Sequence, residues 1–190
     1  SAQLRGGKAT EYEGGHRVPC FIQWKKGKLG GGDPATHEVT RLTSVIDWLP
    51  TLMDLIGLHD VAARPAQVPI RGLSFRSLLD PDAANDAPEL IDRTLVVDNQ
   101  RMEHLIKYKQ LCVMRDESDA QGNIRHKWRL MRPAAGQAWQ LYDLQTDLKQ
   151  KTNLAAKPEN ARLMESMQAA YEKWWDEVSA RAGEDRKSVV

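Results

Sequence analysis

Residues 4–19 read LRGGKATEYEGGHRVP, with one lysine, Lys8, between two pairs of glycines. Glycine adopts the backbone conformations of tight turns more easily than other residues, so this stretch predicts a compact loop around Lys8. The loop leads into residues 17–24, a short apolar run with glycine-rich sequence on both sides. That run predicts a buried strand that joins a larger sheet.

A helix is predicted after this strand. Apolar residues recur there at helical spacing and a glycine follows them, namely Val45, Ile46, Leu49, Leu52, Met53, Ile56 and Gly57. Ser44 and Asp47 have the spacing of a capping box. Pro50 cannot donate a backbone hydrogen bond, which indicates a bend or a helix start near Asp47. Residues 59–93 contain several prolines and predict a long irregular segment with one helical turn at 75–79.

The second half of the chain predicts an antiparallel sheet followed by a helix. Four runs with strand character are separated by polar or glycine-containing turns at hairpin-like spacing, at 95–97, 104–114, 127–131 and 139–144. Pro158 suits the first turn of a helix that is predicted to end near Gly183. One apolar stripe on this helix is expected to pack on the sheet, made by Leu163, Met164, Met167, Tyr171, Trp174, Trp175 and Val178.

Composition and charge exclude some classes of function. The 27 basic and 26 acidic side chains nearly cancel, which disfavours the one-sided charge of a nucleic-acid binder. No stretch reaches the roughly 18 apolar residues that indicate a membrane span. Cys20 and Cys112 lie far apart in apolar runs, which favours buried free thiols over a disulfide or a metal site.

The loop sequence resembles the sulfatase signature, in which a Gly-Gly-Lys loop precedes Glu-Gly-Gly, a variable residue, Arg, another residue and Pro. The matching positions are Gly6, Gly7, Lys8, Glu13, Gly14, Gly15, Arg17 and Pro19. Three further stretches are similar to later sulfatase segments in order and distance, at 46–57, 71–79 and 141–155. The resemblance therefore extends over nearly the whole chain.

The resemblance implies an α/β fold, the C-terminal part of an alkaline-phosphatase-like fold with a small antiparallel sheet packed by a long C-terminal helix. Residues 1–93 would end the large α/β domain with the lysine loop, strand, helix and long loop. Residues 94–190 would form the C-terminal subdomain. The sequence is thus expected to be a C-terminal portion of a longer protein, preceded by the upstream half of the sulfatase.

The implied activity is sulfuric ester hydrolysis of the arylsulfatase type, acting on a sulfated small molecule or glycan. Related enzymes use a formylglycine, made within a Cys-x-Pro-Ser-Arg motif, beside a calcium ion. No such motif occurs in this sequence. The nucleophile and calcium ligands are expected upstream, so the chain should be inactive alone. The resemblance also favours a periplasmic or secreted location.

Lys8 is the catalytic candidate that the resemblance supplies. An ammonium group fixed in a tight loop stabilises the charge that develops on sulfate oxygens, although an isolated loop lysine is usually solvated. His16 and His104 are candidate substrate contacts, and the alternative is that His16 merely covers the loop and His104 lies on the surface. No histidine or cysteine spacing predicts a metal site within this chain.

The charged neighbours of Lys8 are expected to have structural roles. Glu11 and Glu13 could be an acid and base pair, but two loop carboxylates are more often solvated or salt-bridged. Arg17 is expected to pair with a buried carboxylate and anchor the loop.

Two other functions stay open. The same superfamily includes phosphatases and phosphonate monoester hydrolases, from which the upstream nucleophile motif would separate a sulfatase. A different possibility is a non-catalytic interaction module in which residues 18–24 form an unpaired strand edge that binds a partner.

Overall fold

The computed structural model describes residues 4–27, 29, 38–58, 70–79, 88–100 and 105–187, with side chains described up to residue 181. The chain forms two compact units. We call Ser1–Val18, Thr94–Asp119 and Asn123–Val190 the sheet unit, and Pro19–Arg93 with Ala120–Gly122 the helix unit. The elements in chain order are α1 (Glu13–His16), α2 (Trp48–Leu55), β1 (Thr94–Asp98), β2 (Leu111–Ser118), β3 (Ile124–Arg132), β4 (Gln140–Asp143) and α3 (Ala161–Lys187).

The four strands form one antiparallel sheet in the order β1-β2-β3-β4, which confirms the predicted sheet. Strand β2 begins at Leu111, later than predicted, and the expectation of a strand from residue 104 is wrong for residues 105–110. Tyr108 has a φ of +59°, a left-handed conformation that a strand cannot contain. The predicted start, His104, lies outside the described residues.

Helix α3 packs on one face of this sheet, as predicted. The buried core between them contains Leu111, Val113, Trp128, Leu130, Leu141, Met167 and Tyr171. Leu163, Met164, Trp174 and Trp175 are partly buried against the same core. The helix continues past its predicted end at Gly183, because one glycine inside a helix costs only about 1 kcal/mol and need not terminate it.

The other face of the sheet receives the N-terminal loop. Successive strand residues point to opposite faces, so Cys112, Arg129, Met131 and Tyr142 lie on the side away from α3. Arg5 and Glu13 contact Tyr142 and Arg129 there. Residues 4–18 therefore pack with the C-terminal sheet. The assignment of residues 1–93 to a larger α/β domain stays a prediction.

The helix unit is organised by Asp47. The capping box of Ser44 and Asp47 is present, and α2 begins at Trp48, so Pro50 lies in the first turn as predicted. The fully buried Asp47 carboxylate also accepts two hydrogen bonds from the Arg93 guanidinium, at 2.6 and 2.7 Å. A small apolar core lies nearby, made by Leu29, Phe75, Leu78, Leu79 and Leu90. The predicted helical turn at 75–79 is a 3-10 turn, Arg76–Leu79.

The prediction of a buried strand at residues 17–24 is wrong. These residues form no strand, and the side chains of Val18 and Phe21 are 75% and 86% exposed. Only Trp24 makes a bridge, to Leu29. A strand needs a neighbour for its backbone hydrogen bonds, and no described strand lies alongside this segment. Cys20 is exposed here, against expectation, whereas Cys112 is buried as predicted.

Across the residues described above, no helix is both long and apolar enough to cross a bilayer.

We expect Leu130→Ala to lower the free energy of unfolding by about 2–5 kcal/mol, because it leaves a cavity between the sheet and α3. Urea unfolding followed by circular dichroism measures this change. Leu148→Ala is the matched control, since Leu148 is 40% exposed and should lose little stability. Equal destabilisation by both substitutions would contradict this core assignment.

Candidate functional site

Lys8 lies at the tip of a closed loop, residues 5–14, which we call the Lys8 loop. The tip is a turn in which the Thr10 amide donates to the Gly7 carbonyl at 3.0 Å and the Gly7 amide donates to Thr10 Oγ1 at 3.1 Å. The base is closed by the Gly14 amide, which donates to the Arg5 carbonyl at 2.8 Å. Lys8 is exposed, and no described residue forms an ion pair with its ammonium group.

The second pair of glycines permits the loop to close. A Cβ atom on Gly14 would lie 2.5 Å from the Gly6 carbonyl oxygen, and one on Gly15 would lie 2.1 Å from the Thr10 carbonyl oxygen. Both distances are too short for a side chain. Gly14 and Gly15 are therefore a steric requirement of the loop around Lys8.

Arg5 anchors the first end of the loop to the sheet unit. Its guanidinium donates to the Tyr142 hydroxyl at 3.0 Å, to the Gln150 carbonyl at 2.7 Å and to the Tyr12 hydroxyl at 3.0 Å. It also lies over the Tyr12 ring, 4.1 Å from the centroid. Both tyrosine hydroxyls donate to Gln140 Oε1. The start of the loop is thus fixed on β4 and the turn that follows it.

Glu13 anchors the other end. Its buried carboxylate accepts a hydrogen bond from Arg129 Nε at 2.9 Å and lies 3.2 Å from His16 Nε2, and its backbone amide donates to Gln150 Oε1 at 2.9 Å. Burial alone would raise the pKa of the Glu13 carboxyl, but the His16 hydrogen bond and the Arg129 charge lower this pKa to about 2. Glu13 is therefore a carboxylate held ionised by its partners.

Glu11 occupies a different environment in the same loop. Its side chain is buried, and Oε1 has no hydrogen-bond partner within the described structure. Burial raises the pKa of the Glu11 carboxyl, although a backbone hydrogen bond and the Gln110 side chain counteract part of this effect. Asn99 and Gln110 also donate to the Ala9 carbonyl, each at 3.4 Å. The middle of the loop is thus bound by Asn99, which follows β1, and by Gln110, which precedes β2.

The predicted site residues have different outcomes. His16 lies in the same segment as Lys8 but bonds to Glu13, and its side chain is 15% exposed. The predicted pairing of Arg17 with a buried carboxylate is found, at 3.8 Å from Glu13, but the Arg17 side chain is 52% exposed and Arg129 is the closer partner. His104 lies outside the described residues. Substrate contact by Lys8, His16 and His104 stays a prediction.

Sequence reasoning missed three anchoring residues. Arg5 lies inside the motif, but nothing in its spacing indicated the two tyrosines that it contacts. A buried charge requires a partner, but Arg129 carried no usable signal, because Arg125, Lys127 and Arg132 of the same strand are also basic. Gln150 follows β4 in a polar turn and carries no such signal.

The described residues do not form a metal site. In the ranges that the structure covers, no group of three or more His, Cys, Asp or Glu side chains could hold a metal ion. His126 Nδ1 lies 2.7 Å from Asp143 Oδ2. The described residues therefore do not fit calcium.

The region of the chain that matches a known protein family includes the Lys8 loop. Residues 1–58 match the sulfatase family. The chain is also 36% identical to the steryl-sulfatase of Mus musculus over 88 residues, which cover 46% of this chain and 13% of the mouse protein. The chain therefore spans a small part of that relative's length. The sulfatase resemblance predicted from the sequence is confirmed, and its extension over nearly the whole chain stays a prediction.

The lowered pKa of Glu13 predicts a pH-dependent contribution to stability. Because the pKa falls from its ordinary 4.5 to about 2, the stabilisation is fully present above pH 4.5 and is lost as pH falls through about 2. A pKa lowered this far corresponds to about 3 kcal/mol. We expect Glu13→Gln to be less stable than wild type at pH 7, and this difference to shrink as the pH approaches 2.

Urea unfolding between pH 7 and pH 2 measures this dependence. Glu159→Gln is the control, because the Glu159 side chain is 67% exposed and should leave the pH dependence unchanged. A constant difference between wild type and Glu13→Gln across this range would contradict the role assigned to the Glu13 carboxylate.

Proposed function

Because residues 1–58 match the sulfatase family, we propose that this chain is part of an arylsulfatase-type sulfuric ester hydrolase and that Lys8 contacts the sulfate group. One observation carries the proposal: an exposed lysine without a described ion-pair partner lies at the tip of a loop that is fixed at both ends. The substrate class proposed is a sulfated small molecule or glycan.

The chemistry of sulfate ester hydrolysis suits this arrangement. Negative charge develops on the nonbridging and leaving oxygens of the sulfate as the ester bond breaks. A cation that is already in place stabilises this charge without the cost of rearranging during the reaction. The bonds at Arg5 and Glu13 restrict movement of the loop backbone, so the Lys8 ammonium group would be presented from a rigid support.

The remaining machinery belongs, in this proposal, to the upstream half of the protein. That half would supply the formylglycine nucleophile, the calcium ligands and an acid-base histidine. Formylglycine supplies the nucleophilic hydroxyl in enzymes of this type. The chain described here contributes Lys8 and one wall of the pocket, and by itself it should be inactive.

The helix unit has a surface suited to contact with the upstream half. Phe21, Leu49, Leu52 and Ile56 are between 47% and 86% exposed. A cavity of about 430 Å³ lies among Phe21, Trp24, Leu52 and Ile56. Contiguous exposed apolar surface of this kind is typical of a surface that another part of a protein covers. This supports a fragment of a larger fold over a module that functions alone.

We expect Lys8→Ala in the full-length protein to lower kcat for an aryl sulfate by about a hundredfold or more, because it removes one group that stabilises the transition state. Lys8→Arg should retain part of this activity, since the charge is kept. Lys25→Ala is the control, an exposed lysine in a turn of the helix unit.

Steady-state kinetics with an aryl sulfate and the matching aryl phosphate test the proposal. Unchanged kcat in Lys8→Ala would exclude the assigned role. Faster turnover of the phosphate would favour the phosphatase alternative over the sulfatase.

We expect the isolated chain to bind a dye such as ANS, because its exposed apolar surface is uncovered. Leu52→Ser should lower the dye fluorescence, whereas Leu148→Ser, at a similarly exposed leucine of the sheet unit, should change it less. Absence of dye binding by the folded chain would count against a surface that the upstream half covers.

A further inference from the structure

Gln150 contacts both ends of the Lys8 loop. Its backbone carbonyl accepts a hydrogen bond from the Arg5 guanidinium at 2.7 Å, and its side-chain Oε1 accepts one from the Glu13 amide at 2.9 Å. Arg5 and Glu13 lie on either side of Lys8, and the Gly14 amide closes the loop onto the Arg5 carbonyl. Gln150, which follows β4 in the chain, therefore binds both ends of the loop.

The conformation of Gln150 is unusual for its residue type. Its φ is +51°, in the left-handed region that favours glycine, and the residue is fully buried. Non-glycine residues adopt this region only where the surrounding structure imposes it, and such residues are frequent at functional sites. Gln150 is buried and adopts a strained backbone conformation. We attribute this conformation to the two hydrogen bonds that Gln150 makes with the loop.

The turn around Gln150 is itself rigid. The Gln150 amide donates to the Asp147 carbonyl at 2.9 Å, and the Asp147 carboxylate accepts hydrogen bonds from the amides of Lys151 and Thr152 at 2.7 and 2.8 Å. Gln150 Nε2 contacts Met131 Sδ at 4.0 Å on β3. The support for the loop is thus fixed to the sheet independently of the loop.

We propose that Gln150 is a positioning residue that acts through Lys8. Its carbonyl and side-chain oxygens set the separation of Arg5 and Glu13, and this separation determines where the Lys8 ammonium group is presented. The proposal rests on the proposed function, in which Lys8 contacts the sulfate group. It assigns to a residue that follows β4 an indirect influence on turnover, exerted through the Lys8 loop.

The test is Gln150→Met in the full-length protein, which keeps side-chain length but removes the acceptor for the Glu13 amide. We expect kcat for an aryl sulfate to fall about tenfold or more with KM changed less than about twofold, because ground-state contacts are retained. Amide hydrogen exchange in residues 5–14 should accelerate about tenfold or more. Gln145→Met is the matched control, an exposed glutamine of the same turn region.

A double-mutant cycle separates positioning from general damage. If Gln150 acts through Lys8, Gln150→Met should cost little further activity in a Lys8→Ala background. An equal fall in kcat in both backgrounds, or loop exchange equal to that of Gln145→Met, would overturn the proposal.

Two further measurements test the proposal if Gln150→Met does not fold or if Lys8 is not catalytic. If Gln150→Met does not fold, Arg5→Met is used instead. It removes the hydrogen bond to the Gln150 carbonyl together with those to the Tyr12 and Tyr142 hydroxyls, and it should give faster exchange and lower kcat. Unchanged exchange in residues 5–14 would reject Gln150 as an anchor of the loop. If Lys8→Ala keeps full turnover, the proposed function and the catalytic part of this inference fail together. Faster exchange in Gln150→Met would then still support Gln150 as the anchor of the loop.

Discussion

The ion pair between Glu13 and Arg129 is the constraint on which the candidate site depends. Both side chains are buried, and taking two charges out of water costs more than their attraction returns unless other hydrogen bonds complete the arrangement. Here His16 bonds to the Glu13 carboxylate and the Trp128 carbonyl accepts a hydrogen bond from Arg129. Because Arg129 lies within the central part of β3, the pair joins the N-terminal loop to a fixed position on the sheet.

This pairing gives the sheet two different faces. On one face, apolar side chains pack against α3 and form a core that any small α+β unit requires. On the other face, the contacts to the loop are polar and specific, through Arg5, Glu13, Tyr142 and Gln150. The first face stabilises the fold, and the second face fixes the position of the Lys8 loop. A lysine on a flexible loop would be a solvated charge, whereas a lysine on this loop has a defined support.

The sequence predicted much of the fold but less of the site. The helices and the antiparallel sheet follow from local periodicity and turn residues, which is why α2, α3 and the strands were found. The segment 17–24 was misjudged because apolar composition indicates burial only when a neighbour is present to provide it. Arg129 and Gln150 were missed because their partners are more than a hundred residues away, and local patterns contain no information on such pairings.

The distance in sequence between Glu13 and Gln150 also determines when, during translation, this region can fold. The two residues are 137 positions apart, so the loop is synthesised long before its anchor exists. At about 5–20 residues per second, translation needs roughly 7 to 30 seconds to cover this distance. Arg129, 116 positions after Glu13, is synthesised first, and Gln150 follows it. The Lys8 loop therefore acquires these contacts only after Gln150 has been synthesised, so a translation product that stops before Gln150 lacks both of its hydrogen bonds to the loop.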